Sequence, residues 1–165
     1  MKIVVPSYKR AGNVITRVLC PSSVIACHAF EAEEYAEKEG GELLVLPDEL
    51  KGNIAKVRNY ILDNVEDDCI VMMDDDIREV GHHELNKKHP FSSARYMVFL
   101  EDGYRMAEEF KVHLWGVNLQ DDPKFYHQYN PLSFHAPILG TLSCHLRQTK
   151  RYDETLYLNE DYDLF

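Results

Sequence analysis

The run Cys69–Met73 constrains the fold of this chain more than any other feature, because five successive apolar residues lead directly into three aspartates. A strand that is apolar at every position is buried on both faces, so helices must cover its sheet on two sides. Shorter apolar runs occur at 3–5, 24–26 and 43–46. We therefore predict buried strands at all four places.

Segments with helical periodicity separate these runs. The patterns lie at 13–19, with Val14, Ile15, Val18 and Leu19 on one face; at 31–39, with Ala32, Tyr35 and Ala36 inward; and at 54–65, with Ile54, Val57, Ile61, Leu62 and Val65 inward. Asn53 is the expected N-cap of the third helix. Strands that alternate with helices of this kind predict an α/β fold with a mainly parallel central sheet.

The second half of the chain, from about residue 81, is less regular. We expect a polar loop over 82–93, a helix over 96–110 that contains Gly103, and short strands at 114–117 and 138–144. No repeat or linker divides the 165 residues, and this length suits one domain. We predict a single domain over 1–165.

Charge and cysteine content narrow the function classes. The 18 basic and 28 acidic residues give a net charge of −10, which disfavours broad, non-specific binding to nucleic acid. The chain has no signal-peptide pattern and no apolar stretch that could span a membrane. Its four cysteines show no C-x-x-C spacing, which favours a reducing cytoplasm.

The aspartate triplet is the strongest candidate site, because ligands of open α/β sheets bind beyond the carboxyl ends of the strands. Strand alternation predicts that Asp74 and Asp76 point to one side and Asp75 to the other. Two unit charges about 6 Å apart repel by roughly 2–3 kcal/mol at an effective dielectric constant near 20. A divalent cation between them reverses the sign, and Mg²⁺ or Mn²⁺ prefers oxygen ligands. The alternative is a solvated acidic turn.

Three further groups of residues could take part in such a site. Pro6 ends the first strand, and Ser7, Tyr8, Lys9 and Arg10 follow at the same edge of the sheet. Arg58 could bind a diphosphate, although a lone helical arginine is more often solvated. A carboxylate near residues 160–161 could deprotonate an acceptor hydroxyl, or could add only charge. No glycine-rich phosphate loop is present, which disfavours ATPases and dinucleotide-dependent dehydrogenases.

Four segments in this order resemble the GT-A-type glycosyltransferases, and above all the small phage-type enzymes implicated in glycosylating hypermodified DNA bases. The segments are Ile3–Arg10, Gly52–Asn59, Asp74–Asp76 and Asn159–Asp161. The resemblance implies a GT-A-like nucleotide-binding sandwich with a donor-binding half at about 1–80 and an acceptor-side half at about 81–165. It also implies a sugar transferred from a uridine diphosphate sugar to an acceptor hydroxyl, such as that of a hydroxymethylated base in phage DNA.

The resemblance assigns a role to each candidate residue. The donor contacts are Pro6, Ser7, Tyr8, Arg10, Arg58, Asp74 and Asp75. Asp74 and Asp76 would bind Mn²⁺ or Mg²⁺, with Asp76 as the principal ligand. Asp161 would be the general base of an inverting enzyme, with Glu160 beside it. Aromatic faces suit sugars and bases, so we place the acceptor near Trp115, Asn118, Asp121 and Tyr126.

Other classes remain open at this stage. A nucleotidyltransferase of related fold would bind a metal–nucleotide at a similar sheet edge, although residues 7–12 are poor in the glycines that it uses. A non-catalytic module would bind nucleotide or metal without turnover. A receiver-like signalling domain is disfavoured, because its acidic pair follows the first strand.

Overall fold

The four apolar runs form adjacent parallel strands. In the computed structural model, which describes residues 1–85, 87–119, 122, 124, 129–147, 150–156 and 160–164, they are β1 (Lys2–Pro6), β2 (Val24–His28), β3 (Leu43–Leu46) and β4 (Cys69–Met73). β1 lies between β2 and β4, and β3 lies beyond β2. All four predicted strands are therefore confirmed.

Two later strands extend the sheet next to β4. β8 (Leu142–Leu146) runs antiparallel to β4, and β7 (Leu114–Gly116) runs antiparallel to β8. β7 therefore points in the same direction as β1–β4, and the six-stranded sheet is mainly parallel, as predicted. β8 begins four residues later than expected, because Leu142 is the residue that pairs with the end of β4.

Helices cover both faces of the sheet, in agreement with the unbroken apolar character of β4. Cys69, Val71 and Met73 pack in the cluster that contains α1 (Ala32–Lys38) and α3 (Ser93–Phe110). Ile70 and Met72 pack on the opposite face, under α2 (Ile54–Asn64). The core therefore consists of two apolar layers, one on each side of the sheet, and the polar strand ends lie between them at the edge.

The helices predicted over 54–65 and 31–39 are confirmed, whereas the helix predicted over 13–19 and the inward position of Ala36 are wrong. The side chain of Asn53 caps α2, since its Oδ1 accepts a hydrogen bond of 3.1 Å from the backbone N–H of Lys56. The segment 13–19 forms only a 3₁₀ turn, Ile15–Val18, and Val18 is 75% exposed. In α1 Tyr35 is fully buried but Ala36 is exposed, because only a narrow stripe of this two-turn helix meets the sheet.

A hairpin replaces the polar loop predicted over 82–93. β5 (Gly81–Glu84) pairs antiparallel with β6 (Lys87–Pro90). The rings of His82 and His89 stack across the pair with centroids 5.3 Å apart, and His82 also stacks on Phe91 at 5.5 Å. Cross-strand ring contacts stabilise a hairpin even when its residues are polar. In the part of the chain that the structure describes, no helix is long and apolar enough to cross a membrane.

Gly103 has a packing role inside α3. Its Cα lies so close to the indole ring of Trp115 that an added Cβ would collide with the ring. Overpacking costs about 1–3 kcal/mol, whereas alanine gains about 1 kcal/mol of helix propensity over glycine. We expect Gly103→Ala to lower the free energy of unfolding by about 1 kcal/mol in urea denaturation. Glu101→Ala, at an exposed position of α3, is the control, and a more stable Gly103→Ala variant would contradict the prediction.

Candidate functional site

The candidate site lies where the strand order changes direction. The chain passes from β1 to β2 and β3 on one side, and β4 lies on the other side of β1. Ligands of open α/β sheets bind in the crevice at such a point, outside the carboxyl ends of the strands. Here the crevice brings Ser7, which follows β1, next to the aspartates that follow β4.

Thr16 fixes the backbone of the aspartate triplet. Its hydroxyl donates a hydrogen bond of 2.5 Å to the carbonyl oxygen of Asp74 and accepts one of 2.9 Å from the N–H of Ile77. Its own N–H donates to the carbonyl oxygen of Asp75 at 3.2 Å. The side chain is fully buried. Sequence analysis missed this residue, because nothing in the local pattern links residue 16 to residues 74–77.

A buried hydrogen-bond chain holds Asp75. The hydroxyl of Ser7 donates to Asp75 Oδ2 at 2.6 Å and lies 2.7 Å from the hydroxyl of Tyr35. Tyr35 therefore donates to Ser7, and it accepts a bond of 3.0 Å from the N–H of Arg10. Tyr35 was expected only as a core residue, yet it orders two of the predicted donor-binding residues.

Arg10 lies between two carboxylates of the triplet. Its Nη1 is 2.8 Å from Asp75 Oδ1 and 3.0 Å from Asp76 Oδ2. The expectation that Asp75 points away from Asp76 is therefore wrong. β4 ends at Met73, so the regular alternation of a strand does not extend through the turn that Thr16 holds.

Asp74 faces the other side of the crevice. Its N–H donates a bond of 3.0 Å to the carbonyl oxygen of Thr141, which directly precedes β8. Burial raises the pKa of the Asp74 carboxyl, the positive charge of Arg58 opposes that rise, and the neighbouring aspartates add to it. A cation that reaches this carboxylate would therefore stabilise its charged form.

The triplet fits a divalent cation by the chemistry of its donors. Among the described residues no group of three or more His, Cys, Asp or Glu side chains is arranged around a common centre. Mg²⁺ and Mn²⁺ do not require such a group, because one or two carboxylates with substrate phosphates and water can complete their coordination. The side chain of Asp76 is 56% exposed, so its carboxylate is accessible to an ion carried by a diphosphate.

A cavity of about 240 Å³ opens beside Asp75, between the ends of β1–β3 and the start of α2. Every predicted donor residue of the segment Ile3–Arg10 lines this cavity. The full lining is Pro6, Ser7, Tyr8, Arg10, Ala26, His28, Leu46, Ile54, Val57 and Asp75. Tyr8 contacts the ring of His28 edge-on at 5.7 Å. A larger hollow of about 680 Å³ lies at the amino ends of the strands, around Met1 and Asp67, where α/β sheets do not usually bind ligands.

Arg58 lies outside this lining, in a buried ion pair. Its Nη1 donates to Glu160 Oε1, and both side chains are less than a tenth exposed. The guanidinium carbon is 5.4 Å from the ring centroid of Tyr152. The structure therefore places Arg58 between the triplet, whose Asp74 it influences, and α4 (Glu160–Leu164).

Asp161 is connected to the triplet through two consecutive residues. Its Oδ2 accepts a bond of 3.0 Å from the N–H of Gly140, and the next residue, Thr141, accepts from Asp74. The predicted general base and the predicted metal ligands thus lie on opposite sides of one short segment. Asn159 of the same motif lies outside the described residues.

Of the four predicted acceptor residues, the structure describes only Trp115 and Asn118. Trp115 packs its ring on α3, edge-on to Phe99 at 6.0 Å, and its indole nitrogen is buried with no hydrogen-bond partner among the described residues. Asn118 is exposed, shortly after β7. Asp121 and Tyr126 lie outside the described residues. The acceptor assignment stays a prediction.

Comparisons with known proteins agree with this architecture. The family model described as TET-Associated Glycosyltransferase matches residues 1–165. No curated protein sequence matches the chain. The crystal structure of S. aureus TarS 1–349 in complex with UDP is 16% identical, with a TM-score of 0.53 over 99% of this chain and 54% of that one.

A second similar structure, that of S. aureus TarS, is also 16% identical, with a TM-score of 0.50 over 98% of this chain. The chain spans about half the length of the first structure and covers 32% of the second. These similarities concern the fold, and they confirm the predicted GT-A-like sandwich.

Proposed function

The chain belongs to the TET-associated glycosyltransferase family, and on that basis we propose that it transfers a sugar from a uridine diphosphate sugar to an acceptor hydroxyl. One observation carries the proposal. The cavity of about 240 Å³ beside Asp75 and the exposed carboxylate of Asp76 lie at the end of β4, and the carboxylate of Asp161 is linked to the same strand end through Gly140 and Thr141. Donor, metal and base functions would thus occupy adjacent positions.

The donor half, about 1–80, would hold the nucleotide in the cavity at the ends of β1–β3. Tyr8 offers an aromatic face at its rim, and the buried Ser7–Asp75 pair offers oxygen atoms within it. The complex of TarS 1–349 with UDP supports a uridine nucleotide, although the likeness in sequence is only 16%. Tyr35 of α1 holds two lining residues of this cavity, Ser7 and Arg10, by hydrogen bonds from its hydroxyl to Ser7 and to its hydroxyl from the N–H of Arg10.

Asp74 and Asp76 are the residues that would hold Mn²⁺ or Mg²⁺ together with the diphosphate. When bound, the ion neutralises charge on the departing diphosphate. The protein contributes the two carboxylates, and Arg10 offsets the charge of Asp75 and Asp76. Thr16 keeps the backbone of the triplet in its turn.

Asp161 would act as the general base of an inverting transfer. Its carboxylate takes the proton of the acceptor hydroxyl while that oxygen bonds to the anomeric carbon and the bond to the diphosphate breaks. The N–H of Gly140 orients this carboxylate at 3.0 Å. Glu160 is the weaker candidate because Arg58 already holds its carboxylate in a buried ion pair.

The acceptor we propose is the hydroxyl of a hydroxymethylated base in phage DNA. The segment between β7 and β8 supports an acceptor-side half at about 81–165. It leaves the sheet after Gly116 and returns before Leu142, both of which lie at the carboxyl edge of β4.

The test is thermal unfolding with UDP and Mn²⁺. At a ligand concentration 100-fold above Kd, binding contributes about 2.7 kcal/mol, which corresponds to a rise in Tm of roughly 5–10 °C. We expect the Mn²⁺-dependent part of this rise to vanish in Asp76→Asn. Asp102→Asn, at a half-exposed position of α3 where Asp102 pairs with Arg105, should behave like the wild type.

The outcomes separate the parts of the proposal. No rise in Tm with UDP and Mn²⁺ in the wild type would refute the uridine diphosphate donor. An unchanged Mn²⁺ effect in Asp76→Asn would refute the metal assignment. A rise in Tm without release of UDP from a panel of UDP-sugars would identify a non-catalytic binding module.

A further inference from the structure

Helix α2 carries three polar side chains that are buried rather than solvated. Asn53, Arg58 and Asn59 are each less than a tenth exposed. Their partners come from the end of the chain, in the segments 152–154 and 160–161, roughly 90 to 100 residues later in the sequence. Buried polar side chains need hydrogen-bond partners. These contacts therefore fix the segments 152–154 and 160–161 against α2.

Asn59 pairs with the backbone of Tyr152 as a neighbouring strand would. Its Nδ2 donates to the carbonyl oxygen of Tyr152 at 3.0 Å, and its Oδ1 accepts from the N–H of Tyr152 at 2.8 Å. Asn53 contacts the same segment two residues after Tyr152, since its Nδ2 donates to the carbonyl oxygen of Glu154 at 2.8 Å. The two asparagines therefore fix both the position and the direction of this segment.

Arg58 continues the attachment from Tyr152 to α4. Its guanidinium lies over the ring of Tyr152 and forms the ion pair with Glu160. It also packs against Gly140 so closely that a Cβ atom there would collide with the guanidinium. Only glycine at position 140 leaves room for the Arg58–Glu160 pair.

Gly140 links this attachment to Asp161. The residue that borders the guanidinium also donates its N–H to Asp161 Oδ2, and Asp161 directly follows Glu160 in the chain. Displacing Glu160 would therefore move the Asp161 carboxylate away from Gly140. The Arg58 guanidinium therefore contacts both Gly140, which donates to the Asp161 carboxylate, and Glu160, which precedes Asp161 in the chain.

We propose that Arg58 and Asn59 are positioning residues that hold the Asp161 carboxylate at Gly140, on the acceptor side of the crevice, rather than residues that bind the donor. The catalytic consequence rests on the proposed function, since it assumes that Asp161 is the base. The placement of Asp161 itself does not depend on that assumption.

The experiment compares three variants by amide hydrogen exchange in NMR spectra. Arg58→Met combined with Glu160→Gln removes both charges of the ion pair together, so neither partner is left buried opposite a neutral side chain. Asn59→Asp keeps the shape of the side chain but loses the two bonds that its amide donates. Lys56→Gln, which removes a neighbouring charge of α2, is the matched control.

We expect exchange of the Gly140 amide to quicken at least tenfold in the double variant and in Asn59→Asp, and to stay unchanged in Lys56→Gln. The rise in Tm with UDP and Mn²⁺ should stay as in the wild type in all three variants. With a UDP-sugar that the wild type hydrolyses, kcat should fall at least tenfold in the first two variants while KM for the donor changes less than twofold. A fourth variant, Arg58→Lys, keeps the charge opposite Glu160 and should retain part of the Gly140 amide protection that the double variant loses.

Two results would overturn the inference. One is wild-type protection of the Gly140 amide in the double variant. The other is loss of the UDP-induced rise in Tm in that variant, which would make Arg58 a donor contact. Failure of the proposed function has a different signature, since the wild type itself would then show no rise in Tm with UDP, while the Gly140 measurement would still decide the positioning role.

Discussion

Replacing Asp161 by asparagine is expected to lower the rate of sugar transfer by a factor of about 10²–10⁴, the usual contribution of a general base. Asparagine has the same shape, and its Oδ1 can still accept the hydrogen bond from Gly140, although the bond that the second carboxylate oxygen accepts from the N–H of Tyr162 is lost. The variant lacks the negative charge that takes the acceptor proton. The loss should therefore lie in kcat, with the rise in Tm on adding UDP and Mn²⁺ unchanged.

A carboxylate nearby in sequence provides the control for this prediction. Asp153 is exposed, and its Oδ1 accepts bonds from Thr155 that an asparagine can also accept. Asp153→Asn should transfer sugar at the wild-type rate. Full activity of Asp161→Asn would show that another group takes the proton. A lost response to UDP would show that Asp161 contacts the donor.

The second large effect concerns the stability of the protein in acid. His145 lies on β8, is 1% exposed, and is close to the hydroxyls of Ser143 and Tyr152, at 3.1 and 3.3 Å from its Nε2. Burial lowers its pKa from the ordinary 6.5 to about 4, and the positive charges of Arg58 and Arg151 add to that change. The folded protein therefore resists a proton that the unfolded chain accepts below pH 6.5.

The sign of the effect follows from this difference. Stability that is fully present above pH 6.5 should be lost as the pH falls towards 4, by about 3 kcal/mol in the free energy of unfolding. Urea denaturation at pH 7 and pH 4 measures the loss. It should be about 3 kcal/mol smaller in His145→Gln, because the variant has no imidazole to protonate.

The exposed residue His135 provides the matched control, since His135→Gln should show the same pH dependence as the wild type. Carboxylates that titrate in this range affect the wild type and both variants alike. The difference in acid-induced loss of stability between His145→Gln and His135→Gln therefore measures the contribution of His145. Identical losses in the wild type and His145→Gln would refute the assignment.

The sheet could be predicted from the sequence because its signal is local. Each of the four apolar runs must be buried on both faces wherever it occurs, so the runs predict both the strands and the covering helices. The hairpin at 81–90 was missed because its residues are polar. Stacking between His82 and His89 depends on a pairing register that single residues do not reveal.

The site was predictable only in part, because its decisive contacts join distant residues. The triplet and the Ser7 segment were found from their positions at strand ends. Thr16 appeared to be one polar residue of an apolar helix, and its partner lies 58 residues away. Arg58 appeared solvated because its partner, Glu160, follows 102 residues later. Burial of such pairs is decided by the tertiary fold rather than by the neighbouring sequence.

Because β8 is antiparallel to β4, the connection between β7 and β8 can change in evolution independently of the cavity that the earlier elements form. Because β8 pairs with both β4 and β7, the chain leaves the sheet after Gly116 and returns through Gly140 and Thr141 at the edge where Asp74 lies, so the connection 117–139 begins and ends at that edge. Its length and residues can vary while the nucleotide cavity, built by earlier elements, keeps its form. Grafting this one connection between family members should therefore exchange what they modify without altering the nucleotide that they consume.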